Sequence, residues 1–118
     1  MARKHPDAFL PLKSHWFHIL LSLVEGEQHG YGIRQDVLDR TEGKVRLWPA
    51  TLYGSLKRLI REGLIVESGE RPAAELDDAR RRYYKLTALG RRVLDLESER
   101  LKDLVRLLQA KRRQDARP

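Results

Sequence analysis

At 118 residues, the chain is long enough for one modest hydrophobic core and too short for a roomy enzyme architecture. Its 24 lysines and arginines oppose 17 aspartates and glutamates, and the formal charge of +7 favours a polyanionic partner without separating nucleic acid from an acidic membrane. The lack of cysteine excludes disulfides, thiolate metal sites and thiol redox sensing.

Residues 1–12 are polar and contain Pro6 and Pro11, the pattern of an N-terminal arm that joins the fold at Phe9 and Leu10. From Lys13 to Glu25, Trp16, Phe17, Ile19, Leu20, Leu23 and Val24 give a first helix a broad apolar face, closed by Gly26. This apolar stretch falls far short of the roughly 20 residues that span a bilayer. No signal region precedes it, so a cytoplasmic protein without a membrane partner is expected. A second helix is expected from about Tyr31 to Thr41, with Ile33, Val37 and Leu38 inward and Gly43 at its end. Val45 to Leu47 suit a short extended piece, because a residue preceding proline is biased away from helix.

The stretch WPATLYGSLKRLIREGL from Trp48 to Leu64 predicts a third helix. Pro49 suits the first turn and Gly63 the stop, while Leu52, Leu56, Leu59 and Ile60 recur at helical spacing. Leu64 to Ser68 and Arg82 to Leu86 are strand-like and form a hairpin through GERPAAELDDA. Thr87 then caps a long helix from Ala88 to about Lys111. The chain divides into an arm (1–12), a compact unit (13–86), a long helix (87–112) and a basic tail (113–118).

Three helices, a hairpin and a long helix give the order of a winged helix-turn-helix, a mainly α (α+β) fold with a long C-terminal dimerisation helix. Double-stranded DNA is the expected partner. With Leu56 taken as inward, the 100° step per residue places Gly54, Arg58 and Arg61 nearly opposite the core, Thr51 near them, and Ser55 and Lys57 on the flanks. Arg58 is the candidate base reader, since arginine binds guanine O6 and N7 with two hydrogen bonds. Thr51, Ser55 and Lys57 are candidates for phosphates. Tyr53 lies between the faces, its ring suited to the core and its hydroxyl to a phosphate. Tyr31 suits a backbone contact or local packing, and packing is favoured for His29. In the wing, Arg80, Arg81, Arg82 and Lys85 supply four positive charges around two tyrosines. Tyr84 and Leu86 are expected to pack inward, leaving Arg81 and Lys85 freer and Arg80 close to the tip. A wing arginine suits the negative potential of the minor groove.

Leu94, Leu101 and Leu108 stand seven residues apart, and with Leu104 and Val105 they form a stripe suited to the same helix of a second copy. A homodimer is expected. No enzyme is expected, because Ser14, Ser22, Ser55, Ser68 and Ser98 lack nucleophile-elbow surroundings and no glycine-rich phosphate loop exists. His5, His15, His18 and His29 make no metal motif, so neither a metal nor a cofactor is expected. The competing reading is a winged-helix interaction module that presents its basic face to an acidic protein.

Across nearly its whole length the chain resembles the PadR family of bacterial transcriptional regulators. The resemblance rests on FLPLKSHWFHILLSLVEGEQHGYGI, PATLYGSLKRLIREGLI and RRRYYKLTALGRRVL, in that order and spacing. It is to the short members, which lack an extra C-terminal helical domain, and it implies a dimeric repressor whose last helices and first helix form the dimer. Two positions depart from the family, which often has glycine where Ala50 stands and a larger residue where Gly54 stands. Gly54 reads equally as a close approach to DNA and as mere tolerance at an exposed site. Some members bind flat aromatic compounds near the dimer interface, which implies a small aromatic effector among Trp16, Phe17, Leu20, Leu94, Glu97 and Leu101. Tryptophan on a core helix is more often simply core, and no aromatic residue follows Tyr84 to help it.

Overall fold

The computed structural model describes residues 4–68 and 82–116. A 3₁₀ turn, Pro6–Phe9, leads into α1 (Ser14–Ser22), β1 (Gln28–His29), α2 (Gly30–Arg40), α3 (Pro49–Arg61), β2 (Ile65–Glu67), β3 (Tyr83–Leu86) and α4 (Ala88–Asp115). The strands form one antiparallel sheet in the order β1-β3-β2. Ile65 lies opposite Leu86 and Glu67 opposite Tyr84, while Gln28 and His29 face Tyr84 and Tyr83 from the other edge. The short third strand therefore stands before α2. Val45 to Leu47, expected to be extended, form no strand; Leu47 is fully buried, and its carbonyl accepts from the Arg34 side chain at 3.2 Å.

The core joins all the layers. Ile19, Leu20 and Leu23 from the first helical segment meet Ile33 and Val37 of α2, Leu52, Leu56 and Leu59 of α3, and Val93 of α4. Phe9 and Leu10 pack against this cluster as expected of the arm, and Leu12 is buried with it. Between α1 and α2 a polar clamp completes the contact. The Ser22 hydroxyl donates to Asp36 at 2.8 Å, and Arg40 pairs with Asp36 and donates to the His18 carbonyl at 3.1 Å. Burial first, then the charges of Arg40 and His15, hold the His18 imidazole below its ordinary pKa.

Helix ends are set by local chemistry. The His29 ring accepts from the Gly32 N–H at 2.8 Å and caps α2. At the end of α3, Leu64 N–H donates to the Leu59 carbonyl and Gly63 N–H to that of Ile60, a Schellman arrangement whose left-handed residue is Gly63 at φ 82°. The same pattern ends α2, with Gly43 N–H donating to Leu38 and Glu42 N–H to Asp39. There the left-handed position is held by Glu42, φ 54°, one residue before the expected glycine. Thr87 caps α4 by accepting from Gly90 N–H at 3.0 Å, and its hydroxyl donates to the Gly63 carbonyl at 2.6 Å. The first turns of α4 thus belong to the core, through Val93 and Leu94, whereas the helix beyond Arg100 is exposed.

Candidate nucleic-acid interface

α3 exposes one face. Pro49 begins it, Leu52, Leu56 and Leu59 bury the inner side, and Thr51, Gly54, Lys57, Arg58 and Arg61 stand exposed on the outer side. Arg58 and Arg61 lie in the last turn, where positive charge also suits the helix dipole. None of Lys57, Arg58 and Arg61 has an ion-pair partner among the described residues. Ser55, expected on the flank, is buried at 9 % exposure. It lies three residues from Leu52 and four from Leu59, on the inward stripe, and only its polar side chain disguised the position.

Tyr53 is half exposed, and its ring lies over the start of α2, where a Cβ on Gly30 would come 2.9 Å from the Tyr53 hydroxyl oxygen. Glycine at position 30 lets α3 carry its tyrosine against the α2 backbone. Tyr31 is 62 % exposed and stacks on His29, ring centroids 6.3 Å apart, and His29 meets the Tyr83 ring edge-on at 5.4 Å. These rings join the α2 N-terminus to the sheet beside α3. Sequence reasoning missed Lys44 and Arg46, both exposed on the turn that delivers α3. The charge in that turn was the available signal. Trp48, directly before Pro49, is 59 % exposed.

In the wing, Tyr84 is buried and Leu86 half-buried, with Lys85 exposed on the opposite face, as the alternation predicted. Burial, with Glu67 and Tyr53 nearby, raises the Tyr84 pKa, against a smaller opposing pull from Arg82, so the phenol stays neutral in the core. Arg82 is exposed but pairs with Glu67 across the hairpin at 3.3 Å. Arg80, Arg81 and the GERPAAELDDA tip lie outside the described residues.

The six residues expected around an effector do not form one lining. Leu20 and Leu94 are packed in the protomer core. Glu97, 3 % exposed, accepts from Arg100 at 2.7 and 2.8 Å, so its carboxylate is used within α4. Trp16 is half-buried with the Lys13 ammonium 5.2 Å from its ring centre. Only Phe17 and Leu101 border an open cleft of about 400 Å³, with Ser98, Lys102, Val105 and Arg106. Leu101, Leu104, Val105 and Leu108, the rest of the expected dimer stripe, are exposed by 37 to 53 %. Leu107 is exposed beside them. No helix among the described residues is long and apolar enough to cross a membrane.

A three-helix unit with a hairpin beside an exposed basic third helix defines a winged helix-turn-helix of the transcription-regulator class. Residues 19–96 match the model of the Transcriptional regulator PadR-like family, and the chain belongs to that family. It is 35% identical over 89 residues to Transcriptional regulator Rv3488 of Mycobacterium tuberculosis, covering 75% of this chain and 77% of that protein. The fold is similar to that of a PadR-like transcription factor from Bacteroides fragilis, with TM-score 0.67 and 25% identity over 81% of this chain and 87% of that one. It is also similar to Bacillus subtilis PadR, solved in complex with operator DNA, with TM-score 0.60 and 24% identity over 72% of this chain and 46% of that one.

Proposed function

We propose that the chain is a homodimeric repressor that reads an inverted-repeat DNA operator, one α3 helix per half-site in the major groove. The observation that carries this reading is the outward face of α3, where Lys57, Arg58 and Arg61 stand exposed with no ion-pair partner among the described residues. Cations without an internal counter-charge keep their full attraction for phosphates. Arg58 reads guanine, Thr51 and Lys57 hold phosphates, and Tyr31, the Tyr53 hydroxyl and the wing residues Arg81, Arg82 and Lys85 contact the flanking backbone. That the Bacillus subtilis PadR, similar in fold, was solved with operator DNA supports DNA as the partner. The exposed stripe on α4 supports a two-fold dimer, and two-fold symmetry requires an approximately palindromic site. A small aromatic effector, bound in the cleft beside Phe17 and Leu101, releases the DNA; the size of the cleft is ordinary for such a ligand.

The test is binding to duplex DNA across a salt series, with operator sequences selected from a random pool. Affinity should fall steeply with salt, with a slope of about −0.9 per neutralised phosphate. Arg58→Ala should cost about 1–3 kcal/mol of preference for the selected sequence and far less of the affinity for random duplex. Feeble, salt-insensitive binding to every duplex would sink the repressor reading.

A further inference from the structure

The outward row of α3 runs Thr51, Gly54, Arg58, Arg61, and Gly54 alone in it has no side chain. Nothing among the described residues accounts for a glycine there. Among the described residues the positive-φ glycines are Gly26, Gly43 and Gly63, and Gly54 is not one of them. A Cβ built on it meets no atom of the described residues within 4 Å, whereas one on Gly30, Gly32 or Gly90 would strike Tyr53, Gln28 or the Leu64 carbonyl. It is also remote from the helix ends, because α3 runs Pro49–Arg61 and its stop is Gly63. Glycine in the interior of a helix is unfavourable, since it brings the unfolded chain extra freedom and the helix no side chain. A residue opposed by local propensity, and not required by any described neighbour, stands at the middle of the exposed basic face.

We propose that Gly54 is the seating point of α3 in the major groove, where the bare Cα approaches a base-pair edge more closely than any side chain would permit. This rests on the reading of α3 as the DNA-contacting helix. Arg58 lies one turn further along the same face, so the depth set at Gly54 decides whether its guanidinium reaches guanine O6 and N7 in the two-bond geometry. Phosphate contacts tolerate a small outward displacement better, because they position the protein without fixing a base pattern. The specificity of the helix thus depends on an absent side chain, and the affinity for random DNA does not.

The experiment uses the full chain and its Gly54→Ala variant. Duplexes are first selected from random sequence with the wild type, and both proteins are then titrated against the selected duplex and a scrambled one at fixed salt, alongside thermal unfolding. Gly54→Ala should melt at the same or a higher temperature, because alanine favours helix and its methyl meets open space. Its affinity for the selected duplex should fall about tenfold or more, the scale of losing a two-bond arginine–guanine contact. Its affinity for the scrambled duplex should change by less than about twofold. Equal affinity of the two proteins for the selected duplex would overturn the seating role while leaving DNA reading intact. A lower melting temperature would overturn the premise that the protomer does not need this glycine. Failure of the wild type to enrich any sequence would overturn the DNA-reading function itself.

Discussion

Gly90 and Glu42 sit at opposite ends of backbone tolerance. A Cβ on Gly90 would come within 2.0 Å of the Leu64 carbonyl oxygen, and neither backbone can yield without moving α4 off the end of α3. Gly90→Ala should therefore destabilise the fold by about 3 kcal/mol or more, at the upper end of overpacking costs. Glu42 holds a left-handed φ of 54° with a side chain attached, so Glu42→Gly should stabilise by about 0.5–1 kcal/mol, strain relief outweighing the added freedom of the unfolded chain. Urea midpoints measure both, and a Gly90→Ala protein as stable as the wild type would show that the contact is not tight. Residue-level legibility was uneven for a physical reason. Thr87, Pro49 and Gly63 announce helix ends because capping is local, while the burial of Glu97 is set by tertiary packing and leaves no mark in a charged residue's type.

The N-terminal arm touches two elements that matter. The Leu12 backbone lies beside Glu97 of α4, and Lys4 pairs at 3.2 Å with Glu62 at the C-cap of α3. The hydrogen bonds from Arg100 first, then the Arg100 charge and the Leu12 N–H, hold the Glu97 carboxyl below its ordinary pKa against the opposing effect of burial. A depressed carboxyl contributes stability that is fully present above the unfolded value, about 4.3, and is lost as pH falls through the folded value. Glu97→Gln should accordingly be less stable than the wild type at pH 7, and the gap should narrow as pH falls below about 4. Chemical denaturation at a series of pH values checks this, and a gap independent of pH would show that the charge Glu97 presents to Arg100 adds nothing to stability. Among the elements, all four long helices were legible from their apolar spacing. β1 was not: Gln28 and His29 are two polar residues without alternation, and only pairing with Tyr83 and Tyr84 makes them a strand.

The molecule as a whole is longer than its mass requires. Its Cα radius of gyration is 17.2 Å, against about 13–14 Å for a compact domain of this length, and its extents are 68 × 39 × 23 Å. The excess comes from α4 beyond Arg100, where Leu101, Leu104, Val105, Leu107 and Leu108 are all exposed. An exposed apolar surface of this kind is what the partner helix of the proposed dimer would cover. Leu104→Glu, 49 % exposed in the protomer, should leave the fold intact and shift sedimentation toward the monomer, because a charge would be buried at the seam. An unchanged dimer would place the seam elsewhere. The root of this helix has a mechanical consequence. The Thr87 hydroxyl binds the Gly63 carbonyl at the end of α3 and the Gly90 N–H at the start of α4, so the two helices share a pivot. From that pivot to Leu104 the rod is about 26 Å long at 1.5 Å per residue. In a pair of molecules joined through the free ends of their rods, tilting one rod by about 10° swings its α3 by roughly 4–5 Å, a noticeable part of the 34 Å helical turn between half-sites. The angle at which two such rods cross would then act as a caliper, setting the distance between the two reading heads from the far end of the protein.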